Sequence, residues 1–409
     1  MASLRVVRVK RAYSPTRRSS LATPLTMVSI IGIGKTAVKE HWSASIRHLA
    51  WYAIEAALDD AHTTAVDALY VGNVLAGELS GQAHLGALIA DFAGMRGIEA
   101  VTVEASEASG GAALRQAVMA VESGMVQTAL VVGVEKMTDK TGRDVTAAVA
   151  SQLDADYEAV HGLTIAGAAA LMMRRYLHEY GVSVADFAGF SVNAHQNGAT
   201  NPDAMFRNRV TAARFAAAPP IADPVTVFDA APYGDGAAAL IITSRERALD
   251  RSQHPILVAG SAMATDTLSL HDRRDMLWLS AAERSAKAAM AAANVTPSDI
   301  DLFELHDNFT IMAALSLEAA GFAERGRGWA MANAAETGRD GRVPISTFGG
   351  LKARGNPIGA TGVYQLVEAA QQVRGTAGGC QVAGAKVAMA QCVGSGGGTA
   401  VTHILRLDE

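Results

Sequence analysis

Glu107 has a local setting that invites chemistry, and His306, Asn356 and Cys392 are side chains of types that can take part in it. Glu107 lies in VEASEASGGAALRQAV, where an alternating β-branched run, VTVEA, gives way to the Ala/Leu/Val/Met spacing of a closely packed helix. A helix N-terminus offers unpaired backbone N–H groups and the positive end of a dipole, which suit an anion or a developing oxyanion. Read locally, Glu107 is a capping carboxylate with Ser106 and Ser109 as helpers. His306, in ELHDNFTI after an apolar strand, is either a hydrogen-bonded core histidine or a site residue. Asn356 serves the GNPIG turn by itself, because Asn-Pro marks turns, and Cys392 alone reads as a small buried hydrophobe.

The remaining polar motifs exclude more than they assign. Cys380 and Cys392 are too few for a disulfide framework, and no Cys/His cluster has zinc-ligand spacing, so no structural metal is expected. The glycine runs GSGGG and GG lack a P-loop lysine, and GIGKT lacks the full spacing. Lys35, Glu135 and Lys136 read as structural residues of a surface or interface. With 409 residues, 50% hydrophobic and 18% charged, the chain is a globular protein long enough for two core-forming units. Its formal charge of −5 is uneven: residues 1–26 hold Arg5, Arg8, Lys10, Arg11, Arg17 and Arg18 and no acid. The rest has 29 basic against 40 acidic residues, or −11, and with 5% aromatics this body is not a nucleic-acid binder. No run approaches the roughly 18 apolar residues of a membrane span. The Arg- and Ser-rich leader is open to two readings, an organelle transit peptide or an upstream start with Met27 as the true one. The expected location is accordingly cytoplasmic, or an organelle matrix if the leader is a transit peptide.

Elements that could position these residues alternate along the chain. Strand VSIIGIG, helix SIRHLAWYAIEAALDDA, strand DALYVGNVLA, helix AHLGALIADFAG, the Glu107 junction and strand TALVVGVE form α/β material. From Lys136 to Pro224 the regularity breaks into an excursion with helical stretches, AAVASQLDADYEAV and AGAAALMMRRYLHEYG, and a polar segment, NAHQNGATNPDAMFRNRV. Such an insertion fits a substrate-covering subdomain. Alternation restarts after GDGAAALIITSRERAL with PILVAGSAMA, ERSAKAAMAAANV, DIDLFELHD, the stretch FGGLKARGNPIGATGVYQLVEAAQQVRG, and VAMAQCVGSGGGTAVTHILRL. The small-residue turns EASEASGGAALRQAV and NPIGATGVYQLVEAA match in kind. Two similar halves, 27–250 and 251–409, meeting at those turns are therefore expected.

Over Val28 to Leu407 the chain resembles the thiolase superfamily, in particular the branch with sterol-carrier-protein-type and archaeal-type thiolases. The blocks are VEASEASGGAAL, VVGVEKMTD, NPDAMF, DAAPYGDGAAALIIT, ELHDNFTI, GGLKARGNPIGATG and QCVGSGGG. The resemblance implies a thiolase fold: two βαβαβαββ-type halves around stacked mixed sheets, in α/β/α/β/α layers, with a loop domain near 136–224. It also implies an acyl-coenzyme A substrate with no permanently bound cofactor, and a homodimer or tetramer. Such enzymes place a nucleophilic Cys in V-E-x-x-C-A-S-G, a His in G-H-P-x-G-A-T-G, an Asn or His in N-E-A-F or H-D-x-F, and a Cys in C-x-G. Carried over, these positions are Glu107, Asn356, His306 and Cys392. Gly355 and the backbone at Gly394 fall in the implied substrate and oxyanion region.

A thiolate at a helix N-terminus attacks a thioester readily, whereas a carboxylate is a poor nucleophile that would form a less stable mixed anhydride. Three functions follow. One is carbon–carbon bond cleavage or formation, retro-aldol or decarboxylative, without an acyl-Cys intermediate; Glu107 would be the base, Asn356 and His306 donors to an enolate, and His306 or Cys392 an acid. Another is a conventional acyl-CoA C-acyltransferase. The third is a non-catalytic subunit that binds coenzyme A or a zinc-ribbon/OB-fold partner.

Overall fold

Runs rich in Val, Ile, Leu and Ala, bounded by glycine or polar turns, become strands, the central ones buried on both faces. The computed structural model describes residues 27–251 and 254–408, so the basic leader 1–26 lies outside the described residues. In chain order the strands are β1 Val28–Lys35, β2 Ala68–Gly72, β3 Glu99–Val103, β4 Thr128–Glu135, β5 Pro220–Ala222, β6 Val225–Thr226, β7 Gly236–Ser244, β8 Ile256–Thr265, β9 Leu302–Glu304, β10 Val387–Gly394 and β11 Thr399–Leu407. Apart from the small β5–β6 pair they form a nine-stranded sheet ordered β3-β2-β4-β7-β1-β8-β11-β10-β9.

That order repeats itself about its centre. On one side β2 and β4 are parallel and β4, β7 and β1 antiparallel; on the other β9 and β10 are parallel and β10, β11 and β8 antiparallel. Where β3 pairs with β2, the matching place beside β9 is reduced to one bridge, Phe303 to Ile345. The two half-sheets are stacked but not separate: β1 and β8 join them through Ser29–Leu257 and Ile30–Ile256. Helices Ser109–Glu122 and Thr361–Arg374 share one core with both half-sheets and form the middle layer. Ile46–Asp60 covers the outer face of one half and Ser280–Ala293 that of the other.

The middle layer explains the small-residue turns. A Cβ on Gly362 would lie 2.4 Å from the backbone nitrogen of Gly111, so the two helix starts touch backbone to backbone. Only glycine permits that approach.

The first part of the polar segment NAHQNGATNPDAMFRNRV belongs to helix Ala188–Gly198, with His195 and Asn197 buried. Two expectations need correction. The helix expected through AAVASQLDADYEAV ends at Ala150; the Asp154 carboxylate then accepts from the N–H groups of Asp156 and Tyr157 and turns the chain. Glu135 and Lys136 are not surface residues: both are buried, and Lys136 Nζ pairs with Asp235 at 2.8 Å and Asp139 at 2.6 Å. The nearly buried Lys35 side chain pairs with Asp203 at 3.3 Å. No helix of the described residues is long and apolar enough to cross a membrane.

Candidate active site

Glu107 is delivered into the interior by a strained turn. After β3 the backbone of Ser106 takes a φ of +56°, a left-handed value that a non-glycine residue rarely adopts. Ser109 Oγ locks that turn, accepting from Ala105 N at 2.9 Å and donating to Ser106 O at 2.6 Å. The helix starting at Ser109 has no side-chain cap, so Glu107 does not serve as one. At 3% exposure its Oε2 instead accepts from His306 Nε2 at 2.6 Å and Asn308 Nδ2 at 2.8 Å. Its Oε1 makes no hydrogen bond among the described residues.

His306 leaves the end of β9 and is fully buried. Its Nδ1 lies 3.8 Å from Cys392 Sγ, so one imidazole links carboxylate and thiol. Cys392 donates to the Glu107 carbonyl at 2.9 Å. Burial, and then the Glu107 charge, push this thiol far above the ordinary thiol range, so it is a protonated donor and not a thiolate. Asp307 points the other way, accepting from Leu351 N at 2.8 Å and Ser346 Oγ at 3.0 Å. That anchor fixes His306 and Asn308 on the opposite face of the extended segment.

The chain thus brings Glu107, His306 and Cys392 together, and sets Gly394 against them: a Cβ there would stand 2.7 Å from Ala105 O. Ser395 faces Ser106, its N–H and its hydroxyl each 3.0 Å from Ser106 Oγ. From the 136–224 excursion, Gln152 meets Ser106 Oγ at 2.5 Å and accepts from Ser395 Oγ at 2.6 Å through its carbonyl.

Asn356 does not hydrogen-bond to that cluster. Its Oδ1 accepts from Ile358 N at 3.0 Å and Thr361 Oγ1 at 2.9 Å, holding the turn that opens helix Thr361–Arg374. Gly355, at a φ of +112°, packs on Val38 and bends the chain into the same turn. Beneath it the Glu135 carboxylate accepts from Asn73 Nδ2 and from the N–H groups of Val74, Leu75 and Gly359. Burial lifts that carboxyl to about 7 against those bonds.

Two residues here went unassigned in the sequence. Asn308 stands two places after His306 in ELHDNFTI, and the period of an extended segment could have pointed to it. Tyr233, in DAAPYGDGA, is partly exposed; burial and then the Glu107 charge raise its phenol above the ordinary range. No local signal marks it. A separate cavity of about 820 Å³, lined by Gly189, Asn193, Arg209 and Arg339 among others, does not include the Glu107 cluster. Among the described residues no group of three or more His, Cys, Asp and Glu could hold a metal ion.

Comparison with known proteins follows the same division. The thiolase N-terminal domain model matches residues 28–218, and the thiolase C-terminal domain-like model matches 262–407. An acetyl-CoA acetyltransferase of Methanothermobacter thermautotrophicus is 42% identical over 92% of this chain and 98% of its own length. The benzoylsuccinyl-CoA thiolase subunit BbsB of Thauera aromatica is 30% identical over 90% and 95%. Among solved structures, the Ltp2-ChsH2(DUF35) aldolase superposes with a TM-score of 0.82 at 26% identity, over 95% of this chain and 99% of that one. A monomeric SCP2-thiolase-like protein from Mycobacterium smegmatis, 18% identical with a TM-score of 0.72 over 94% and 78%, shares the fold. Matched in both halves and over nearly the whole length of such a relative, the chain belongs to the thiolase superfamily.

Proposed function

We propose that this chain makes or breaks a carbon–carbon bond of a coenzyme A thioester without a covalent acyl-enzyme, with Glu107 as the base. The observation that carries this is the setting of the carboxylate. It caps no helix, has one oxygen tied to His306 and Asn308, and keeps the other unbonded among the described residues. In the retro-aldol direction, Glu107 takes the β-hydroxyl proton of a β-hydroxyacyl-CoA and the Cα–Cβ bond breaks. Its electron pair enters the thioester as an enolate, and the Cβ fragment leaves as an aldehyde or ketone. A proton then returns to Cα, giving the shortened acyl-CoA. The Asn356 amide stabilises the enolate oxygen. His306 holds the carboxylate in place and relays its proton. Likeness to the Ltp2-ChsH2(DUF35) aldolase favours this direction, and the second component of that aldolase favours a partner protein for this chain.

Acyl transfer is the second reading, supported by the 42% identical relative named an acetyl-CoA acetyltransferase. It would need Cys392 as the nucleophile, and a buried, protonated thiol donating to a carbonyl is poorly set for attack. The deciding experiment incubates purified protein with β-hydroxyacyl- and acyl-CoA thioesters, then measures intact mass and products. Carbonyl and shortened acyl-CoA products at unchanged protein mass support the proposal. An acyl adduct on the protein supports transfer, and coenzyme A binding with no product in any arm supports a non-catalytic subunit.

A further inference from the structure

We propose that Tyr233 is a second hydrogen-bond donor to the substrate's thioester oxygen, acting beside the Asn356 amide; this rests on the reading of the site given above. Residues 232–234 and Asn356 form a short parallel ladder. Asn356 N–H donates to Pro232 O at 2.8 Å and Gly234 N–H donates to Asn356 O at 3.3 Å, which makes Tyr233 and Asn356 direct partners. Partners in a parallel ladder project their side chains to the same face, so phenol and amide point to one side.

The amide's orientation follows from its bonds. Its oxygen is committed to Ile358 N–H and the Thr361 hydroxyl, so the nitrogen is the end left to donate outward. Among the described residues neither that nitrogen nor the Tyr233 hydroxyl has a hydrogen-bond partner. The tyrosine ring packs against the core while the residue stays partly exposed, which suits a fixed ring with an open polar tip. Burial, and then the Glu107 charge, favour the protonated phenol. Two neutral donors, held before substrate arrives, strengthen as negative charge grows on the oxygen between them. No covalent step passes through Tyr233, and its proton stays on the phenol.

The test is isotope-edited infrared difference spectroscopy of [1-¹³C]acetyl-CoA bound to the full chain, with turnover of a β-hydroxyacyl-CoA measured in parallel. In the wild type the carbonyl band moves below its position in solution. Tyr233→Phe restores part of that shift, Asn356→Ala restores part, and the double variant restores all of it. For Tyr233→Phe, kcat falls by about 10²-fold with KM little changed, the loss expected for one oxyanion donor. A Tyr233→Phe band identical to wild type, or unchanged kcat, overturns the inference while leaving Glu107 as the base. Failure of the wild type to bind or shift the thioester overturns both. Should Tyr233→Phe not fold, the Asn356→Ala band decides: a residual shift supports the second donor, and a solution-like band removes it.

Discussion

Glu107 and His306, 199 positions apart in sequence, meet at 2.6 Å where the two helix starts of the middle layer cross. Each belongs to a different half of the sheet, so the contact exists only when both halves are assembled. His306→Ala leaves the buried carboxylate without its imidazole. The expected result is a fall in kcat of about 10²-fold or more and a loss of roughly 3 kcal/mol in unfolding free energy. Steady-state kinetics and urea unfolding check both.

Cys392 should resist chemistry. Its protonated thiol is buried and bonded to Glu107 O. Iodoacetamide should leave Cys392 unmodified in the folded protein, and acetyl-CoA should leave it unacylated. Peptide mapping after each incubation checks this; acetyl on Cys392, lost in Cys392→Ala, would revive acyl transfer.

Gly362→Ala should be severe for so small a change, because the new methyl would press on the Gly111 backbone. Helix propensity alone would make this substitution stabilising by about 1 kcal/mol. Backbone overpacking instead predicts a net loss of about 3 kcal/mol, read as a lower midpoint in urea.

His403 ties stability to pH. Buried, with Nε2 donating to Gly111 O at 3.0 Å, it is held down to about 4, burial being the main cause. The unfolded chain protonates it near pH 6.5, so its contribution is intact above that pH and lost as pH falls from about 6.5 to 4. The full difference is about 3 kcal/mol. His403→Gln can keep the hydrogen bond without titrating, so its unfolding free energy should fall less than that of wild type over this window.

The strand and helix alternation was legible because β-branched runs, glycine turns and small-residue helix starts leave local marks. Helix Thr310–Ala319 escaped notice because every residue of TIMAALSLEA is buried, so the segment has no polar face and no period. The opening of NAHQNGATNPDAMFRNRV read only as a polar segment, and not as the end of helix Ala188–Gly198, because the half-buried Asn193 and the buried Asn197 are polar residues whose partners, the carbonyls of Thr337, Ile345 and Ser346, are distant in sequence. Glu135 and Lys136 looked like surface charges for the same reason: their partners, Asn73, Gly359 and Asp235, come from distant parts of the chain. At the site, the positions of Glu107, His306 and Cys392 were legible through motif blocks. The bond from Asn308 to Glu107 and the pairing of Tyr233 with Asn356 were not, since both exist only once β9, residues 232–234 and the Asn356 turn are brought together.

The most direct test of Glu107 as the base is Glu107→Gln, compared with wild type for turnover of β-hydroxyacyl-CoA thioesters and for thermal midpoint. Glutamine keeps the shape and an oxygen for His306 and Asn308 but cannot take the substrate proton. The midpoint should be nearly unchanged and kcat lower by roughly 10²–10⁴-fold. Wild-type turnover in folded Glu107→Gln would contradict this.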